Sequence, residues 1–377
     1  MRKRLRSGLR SDHGRRAARL RLLRVRHPRS GPGVRALRLQ GHRARGAGGG
    51  RALLLRPLRR GGGQGGRPGP RLEGGGSLLG PVRAGASPPG GASGGRVSVV
   101  VATRDRRDEL LRTVYHLLAL PERPRVVVVD NASSDGTPQA LARLHPEVEV
   151  VALGENLAAA GRTAGVRRCP TPYVAFADDD SWWEPGSLRR AADLLDAHPR
   201  LGLVAGRVLL GPEGREDPVC GLMAASPLPA EPDLPGPGVL GFVACAAVVR
   251  REAYLGSGGF ERRLFWGEEE LLAADMAAAG WALVYDAGVV ARHHPSPARD
   301  ARANRRRAVR SALLTGWLRR PARVALGRSL RALRSSLRDP DARAGLAAAL
   351  AGLPWALRGR RPLPPRVEEG LRMLESG

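Results

Sequence analysis

The chain has 377 residues with 63 basic and 35 acidic side chains, a formal charge of +28. Its three cysteines, Cys169, Cys220 and Cys245, lack metal-type or disulfide-framework spacing, which excludes a cysteine-stapled secreted module and points to a reducing cytoplasm. No apolar run reaches the length of a membrane span, the longest being 344–357, which contains Pro354.

The charge is uneven. Residues 1–95 carry 23 basic and 2 acidic side chains, 96–300 carry 22 and 28, and 301–377 carry 18 and 5. Three domains are therefore expected: a segment 1–95, a mildly acidic folded domain 96–300, and a basic extension 301–377. The first is Arg, Gly, Pro and Leu with runs such as Gly74-Gly75-Gly76, too poor in apolar side chains to offset chain entropy, and is read as disordered. Lysine occurs only at position 3, which fits a GC-rich coding sequence and a start assigned too far upstream. Arginines interrupt its short leucine runs, so it lacks the continuous apolar core of a secretory signal, although its Arg-rich, acid-poor composition suits a transit peptide or a nucleic-acid-binding arm.

From residue 96 the pattern alternates. Val97 opens a buried strand over 97–102, and a helix over 107–120 stops before Pro121. A second strand, 126–129, ends at Asp130-Asn131, and Thr137-Pro138 starts the next helix. Residues 148–153 form a third strand, 158–168 a short helix, 173–177 a fourth strand and 187–197 a helix. Such alternation implies βαβ units and a mostly parallel sheet. The order loosens after 201–210, with a Pro-rich loop at 227–237. An apolar run at 241–249, a helix over 267–279 closed by Gly280, and a strand at 282–285 follow. Beyond about residue 303 the chain is helical. Val309, Leu313, Leu314, Trp317 and Leu318 share a face interleaved with arginines, which fits membrane attachment or packing on the protein's own domain.

The fourth strand ends in Asp178-Asp179-Asp180. Three carboxylates at a strand end are costly unless a cation shares the site, and the carboxyl ends of strands in open α/β sheets are where ligands bind. Thr103-Arg104 follows the first strand, Asp130-Asn131 the second, and Glu155-Asn156 leads to Gly161-Arg162. These loops converge on one crevice if the sheet is doubly wound. Glu268-Glu269-Glu270 opens a helix, where adjacent carboxylates raise one another's pKa and suit one of them to general-base work.

The ordered set resembles glycosyltransferase family 2, inverting enzymes of the GT-A fold. It is carried by Val-Ser-Val-Val-Val-Ala-Thr-Arg (97–104), Val-Val-Asp-Asn-Ala-Ser-Ser-Asp-Gly-Thr (128–137), Glu-Asn-Leu (155–157), Phe-Ala-Asp-Asp-Asp (176–180), Gly-Gly-Phe-Glu (258–261), Phe-Trp-Gly-Glu-Glu-Glu (265–270) and Val-Val-Ala-Arg-His-His (289–294). The resemblance implies an α/β GT-A fold, Rossmann-like with flanking helices, and a nucleotide-diphosphate sugar as donor. Thr103, Arg104, Asp130, Asn131, Asn156 and Arg162 would contact the donor. Asp178 or Asp179 would hold its ribose. Asp180, with Asp178 and His293 or His294, would bind Mg²⁺ or Mn²⁺. Glu269, with Glu268 before it, stands where the family has its general base, although the commoner residue there is Asp. Ala158 and Thr163 also depart from the family's usual Gly and Asn. Trp182-Trp183 would stack on a sugar or support the loop.

The implied activity is metal-dependent, inverting sugar transfer to a saccharide or lipid-linked acceptor in cell-surface polysaccharide or glycolipid synthesis. The expected location is the cytoplasm, with peripheral contact at the inner membrane face through the C-terminal helices. Three other readings compete. A sugar nucleotidyltransferase would carry a Gly-rich basic loop after the first strand, unlike Thr103-Arg104-Asp105. A nucleic-acid-binding protein would use the charge of the tails, but no specific nucleic acid is expected. A catalytically silent scaffold would not need the carboxylates.

Overall fold

The computed structural model describes residues 95–295 and 301–376. The segment expected to be disordered lies outside the described residues, apart from its last position.

Strand β1 (Val97–Thr103) contributes four valines that are all buried. Parallel to it on either side run β2 (Arg125–Asp130) and β4 (Tyr173–Asp178), and β3 (Glu149–Ala152) continues beyond β2. Their β-branched runs suit strands covered on both faces. The helices α1 (Arg107–Leu118), α2 (Thr137–Leu144) and α3 (Arg162–Arg168) connect them. The strand tops at Thr103, Asp130 and Asp178 therefore lie side by side, with Thr103 level with Asp130 and Ala102 level with Asp178.

Helix α3 lies close on this sheet. A Cβ at Gly165 would stand 2.7 Å from a Val100 methyl and 2.8 Å from a Val129 methyl. Gly165→Ala is expected to cost about 1–3 kcal/mol by overpacking, read as a lowered midpoint in urea with an unchanged slope.

The remaining sheet is built from β5 (Ser181–Trp183), β6 (Leu201–Leu210), β7 (Arg215–Glu216), β8 (Ala247–Arg250) and β9 (Ala282–His293). Helices α4 (Ser187–Ala197), α5 (Pro218–Ala224), α6 (Arg251–Gly256) and α7 (Glu268–Ala278) lie between them. The strand order is β3-β2-β1-β4-β8-β6-β9-β5, with β7 beside β6. The expected mostly parallel sheet is corrected here to a mixed one. Strand β8 runs antiparallel to both β4 and β6, and β5 antiparallel to β9. The chain from β6 to β8 is mainly irregular and proline-rich, with no long helix to carry it back across a face as a parallel crossover does.

Strand β9 is longer than its apolar start suggests. It pairs parallel with β6 but breaks register, with Gly206 opposite Asp286 and Arg207 opposite Val290. The bulge is held by Asp286, whose Oδ1 accepts from the backbone N–H of Gly288 (2.8 Å) and of Val289 (3.1 Å) and from Arg190 Nε at 2.7 Å. Beyond it β9 runs on to place His293 opposite Leu210 on one side and Ser181 on the other.

Four helices close the chain: α8 (Ala301–Arg319), α9 (Ala322–Ser336), α10 (Pro340–Arg358) and α11 (Pro365–Ser376). The α8 stripe read as membrane-facing or self-packed is self-packed. Leu314 and Leu318 are buried with Leu264, Leu271 and Ala356, between α7 and α10. Arg319 Nε donates to Asp275 of α7 at 2.5 Å, and Arg320 Nε donates to buried Glu368 of α11 at 2.5 Å. These helices thus grip the one that begins with the three glutamates. No helix among the described residues is long and apolar enough to cross a membrane.

Candidate active site

The turn after β4 makes the acidic centre, and each aspartate meets a different environment. Asp178 pairs with the guanidinium of buried Arg162, and its backbone N–H donates to Ser181 Oγ at 2.7 Å. Asp179 points inward. It accepts from Thr103 Oγ1 at 3.0 Å and pairs with Arg106 at 2.8 Å, while its carbonyl accepts from Thr113 Oγ1 at 2.9 Å. Asp180 accepts from Arg106 at 3.0 Å and lies 3.2 Å from His293 Nε2. Burial pushes the Asp179 carboxyl up to about 7 despite Arg106. Burial works the same way on Asp180, but His293 and Arg106 outweigh it and hold its carboxyl well below the usual range.

Asp178, Asp180 and His293 each offer one ligand atom, and these atoms lie within 4.8 Å of one another. Two carboxylate oxygens and an imidazole nitrogen form a donor set that fits Mn²⁺, and Mg²⁺ with water completing its shell. Of the two histidines considered from sequence, His293 is the one that joins the aspartates. The His294 ring packs instead against Trp182, with centroids 4.6 Å apart, and its backbone N–H donates to the Asp180 carbonyl at 2.8 Å.

The donor-contact candidates divide by what their side chains already do. Asp130 is buried at the top of β2. One of its oxygens accepts from the Ser133 N–H at 3.1 Å, and Oδ1 has no partner among the described residues. Asn131 braces the loops, accepting from the Leu157 N–H at 3.0 Å and donating to the Thr103 carbonyl at 3.3 Å. Asn156 accepts from the Ala158 N–H at 2.9 Å, and exposed Arg104 leans on Asp105 at 3.3 Å. Thr163 bonds the Tyr254 hydroxyl at 2.8 Å.

Helix α7 begins at Glu268, behind Gly267 at φ +70°. Glu268 is buried, and its Oε2 has no hydrogen-bond partner among the described residues. Burial raises its carboxyl. Burial and then the neighbouring Glu268 push Glu269 up to about 8. Glu270 is also raised by burial, but the charges acting on it are Arg328, Glu375 and Arg320 of the C-terminal helices. The expected three-carboxylate coupling is therefore a pair, because Glu270 sits on another side of the helix. Burial opposes the charge of Arg162, and Asp178, then Glu269 and Glu268, sustain it, so its guanidinium couples the acidic turn to the base candidate.

Sequence reasoning missed Arg106 as the bridge between Asp179 and Asp180. It was visible only as one of two arginines in the loop between β1 and α1. It also missed the stack of His116 on Trp182, with centroids 4.1 Å apart and planes 14° from parallel. Both tryptophans are buried, and the Trp183 indole donates to the Phe176 carbonyl at 3.1 Å, so they support the turn.

Residues 98–256 match the family model for glycosyl transferase family 2. The chain is 30% identical over 282 residues to N-acetylglucosaminyl-diphospho-decaprenol L-rhamnosyltransferase of Mycobacterium tuberculosis, covering 63% of this chain and 91% of that one. The chain belongs to glycosyltransferase family 2. This glycosyltransferase is also 32% identical over 225 residues to pre-mycofactocin glycosyltransferase of the same species, covering 56% of itself and 46% of the relative. Among solved structures it is similar to mannosyltransferase PcManGT from Pyrobaculum calidifontis in complex with GDP-Man and Mn²⁺ (TM-score 0.46, 24% identity, 76% of each chain). It is also similar to TarS 1–349 of S. aureus in complex with UDP-GlcNAc (TM-score 0.46, 16% identity, 58% of this chain and 66% of that one). The glycosyltransferase has the mixed α/β sheet with flanking helices of the GT-A class.

Proposed function

We propose that this glycosyltransferase moves a hexosyl or deoxyhexosyl group from a nucleotide-diphosphate sugar to a hydroxyl of a lipid-linked saccharide, with inversion, during cell-surface polysaccharide assembly. The observation that carries the reading is the Asp178–Asp180–His293 cluster, linked through Arg162 to a glutamate pair with raised pKa. The relative whose name specifies a decaprenol-linked acceptor supports the acceptor class.

In this reading Asp130, whose buried Oδ1 has no partner among the described residues, takes a hydrogen bond from the donor's base, and Asp178 holds the ribose edge. Thr103 acts beneath them by fixing Asp179, and Asn131, Asn156 and Arg104 shape the surrounding loops. Asp180, Asp178 and His293 would hold a divalent cation, whose charge would offset that of the diphosphate leaving group. Glu269 accepts the proton of the acceptor hydroxyl as that oxygen bonds the anomeric carbon and the bond to the diphosphate breaks. Attack opposite the leaving group inverts the centre in one displacement. Arg162, buried and paired with Asp178, holds that carboxylate in place beside the donor.

Titration of the full chain with GDP, UDP and dTDP by calorimetry, with and without Mn²⁺, tests this. One nucleotide should bind at least tenfold more tightly with metal. A folded protein that binds none of them with Mn²⁺ present would overturn the donor assignment.

A further inference from the structure

Helix α9 carries an apolar face that nothing in the described fold covers. Leu326, Leu330, Leu333 and Leu337 are each more than half exposed, the last at 74%. Their spacing of four, three and four residues places them within about 60° around the helix, one above another. The packed side is the adjoining flank, about 90° around the helix, where Ala325 and Ser336 are buried and Ser329 accepts from the Trp317 indole at 3.1 Å. The exposed stripe is therefore a second surface of α9.

Charge identifies the occupant. Arg323, Arg331, Arg334 and Arg338 flank the leucines and are exposed, and none has a carboxylate within ion-pair distance among the described residues. Arg328 is the exception, paired with Glu375 at 2.5 Å. Residues 322–338 contain no acidic side chain. A second copy of this chain would bring four like charges against four. A protein groove would have to be acidic at its rim and apolar at its floor. An anionic bilayer supplies both, with phosphates at the level of the guanidinium groups and acyl chains beneath the leucines.

We propose that α9 is an in-plane membrane-binding helix that seats the enzyme on an anionic lipid surface. The face differs from the α8 stripe that sequence periodicity singled out, which is core. Because α9 packs on α8 and α10, which grip α7, the seated helix belongs to the same packed body as the catalytic glutamates.

The test uses the full chain as Leu330→Cys, labelled with an environment-sensitive fluorophore. The native Cys169, Cys220 and Cys245 are buried, so the label reports on α9 rather than on the basic N-terminal segment. Vesicles of phosphatidylcholine with a third phosphatidylglycerol should shift the emission to the blue. Phosphatidylcholine alone should need about tenfold more lipid for the same shift, and Arg331→Glu with Arg334→Glu should remove it. Three results would overturn the inference: no shift with anionic vesicles, an equal shift with neutral ones, or a shift without lipid that grows with protein concentration, which would mark an interface between copies. The readout does not depend on sugar transfer. A protein that transfers without binding vesicles, or binds without transferring, separates this inference from the proposed function.

Discussion

Asp180→Asn is expected to lower kcat about 10³-fold while leaving the fold intact. The amide has the same shape and can still face Arg106 and His293, so loop geometry survives. What it loses is the negative charge that burial opposes and that His293 and Arg106 sustain. A neutral oxygen is a poor ligand for a hard cation, and a loss of several kcal/mol of charge stabilisation corresponds to that factor. The measurement is steady-state transfer across a Mn²⁺ titration, where the variant should also need at least tenfold more metal for half-maximal rate. Wild-type turnover at wild-type metal concentration would remove Asp180 from the centre.

Glu269→Gln is expected to lower kcat about 10²- to 10⁴-fold, the range of a lost general base. The wild type should show kcat/KM rising with pH through about 8, because Glu269 is pushed up to about 8 and must lose its proton to act. That rise should be absent from the residual activity of the variant. Stability should move the other way. A carboxyl whose folded pKa is raised above its unfolded value costs the folded state increasingly as pH climbs from about 4.5 to about 8, and fully above that. Gln removes the cost, so the variant should melt a few degrees higher than wild type at pH 9 and at the same temperature at pH 5. If transfer is instead lost in Glu268→Gln and kept in Glu269→Gln, the base is the neighbouring glutamate.

The first half of the sheet was legible because its strands are uninterrupted Val-rich runs and its helices are bounded by Pro and Thr. Strands at 97–102 and 173–177 fall one residue short of the observed spans at the C-terminal end, and 126–129 one residue short at each end. The second half was not. Strand β5 is three residues long, and β9 contains Asp286, Gly288 and Arg292, so neither shows a periodic signal. The run at 241–249 yields only β8, because the backbone first turns through a short 3-10 segment at Ala244–Ala246. In the site, the aspartates and glutamates announced themselves by clustering. Arg106 did not, because a single arginine in a loop looks the same whether it meets solvent or two carboxylates. The choice between His293 and His294 could not be made from adjacent identical residues, since strand pairing decides which one faces Asp180.

The bulge after Asp286 decides that pairing. Had β9 kept its earlier register against β6, Val290 would stand opposite Leu210 in place of His293. The three residues absorbed there take up about 10 Å of extended chain, so the irregularity works as a ruler that sets where the strand ends. Adding or deleting a residue between 286 and 290 would act as an active-site change without altering any of the site's own side chains. The length of that stretch is thus part of the enzyme's chemistry.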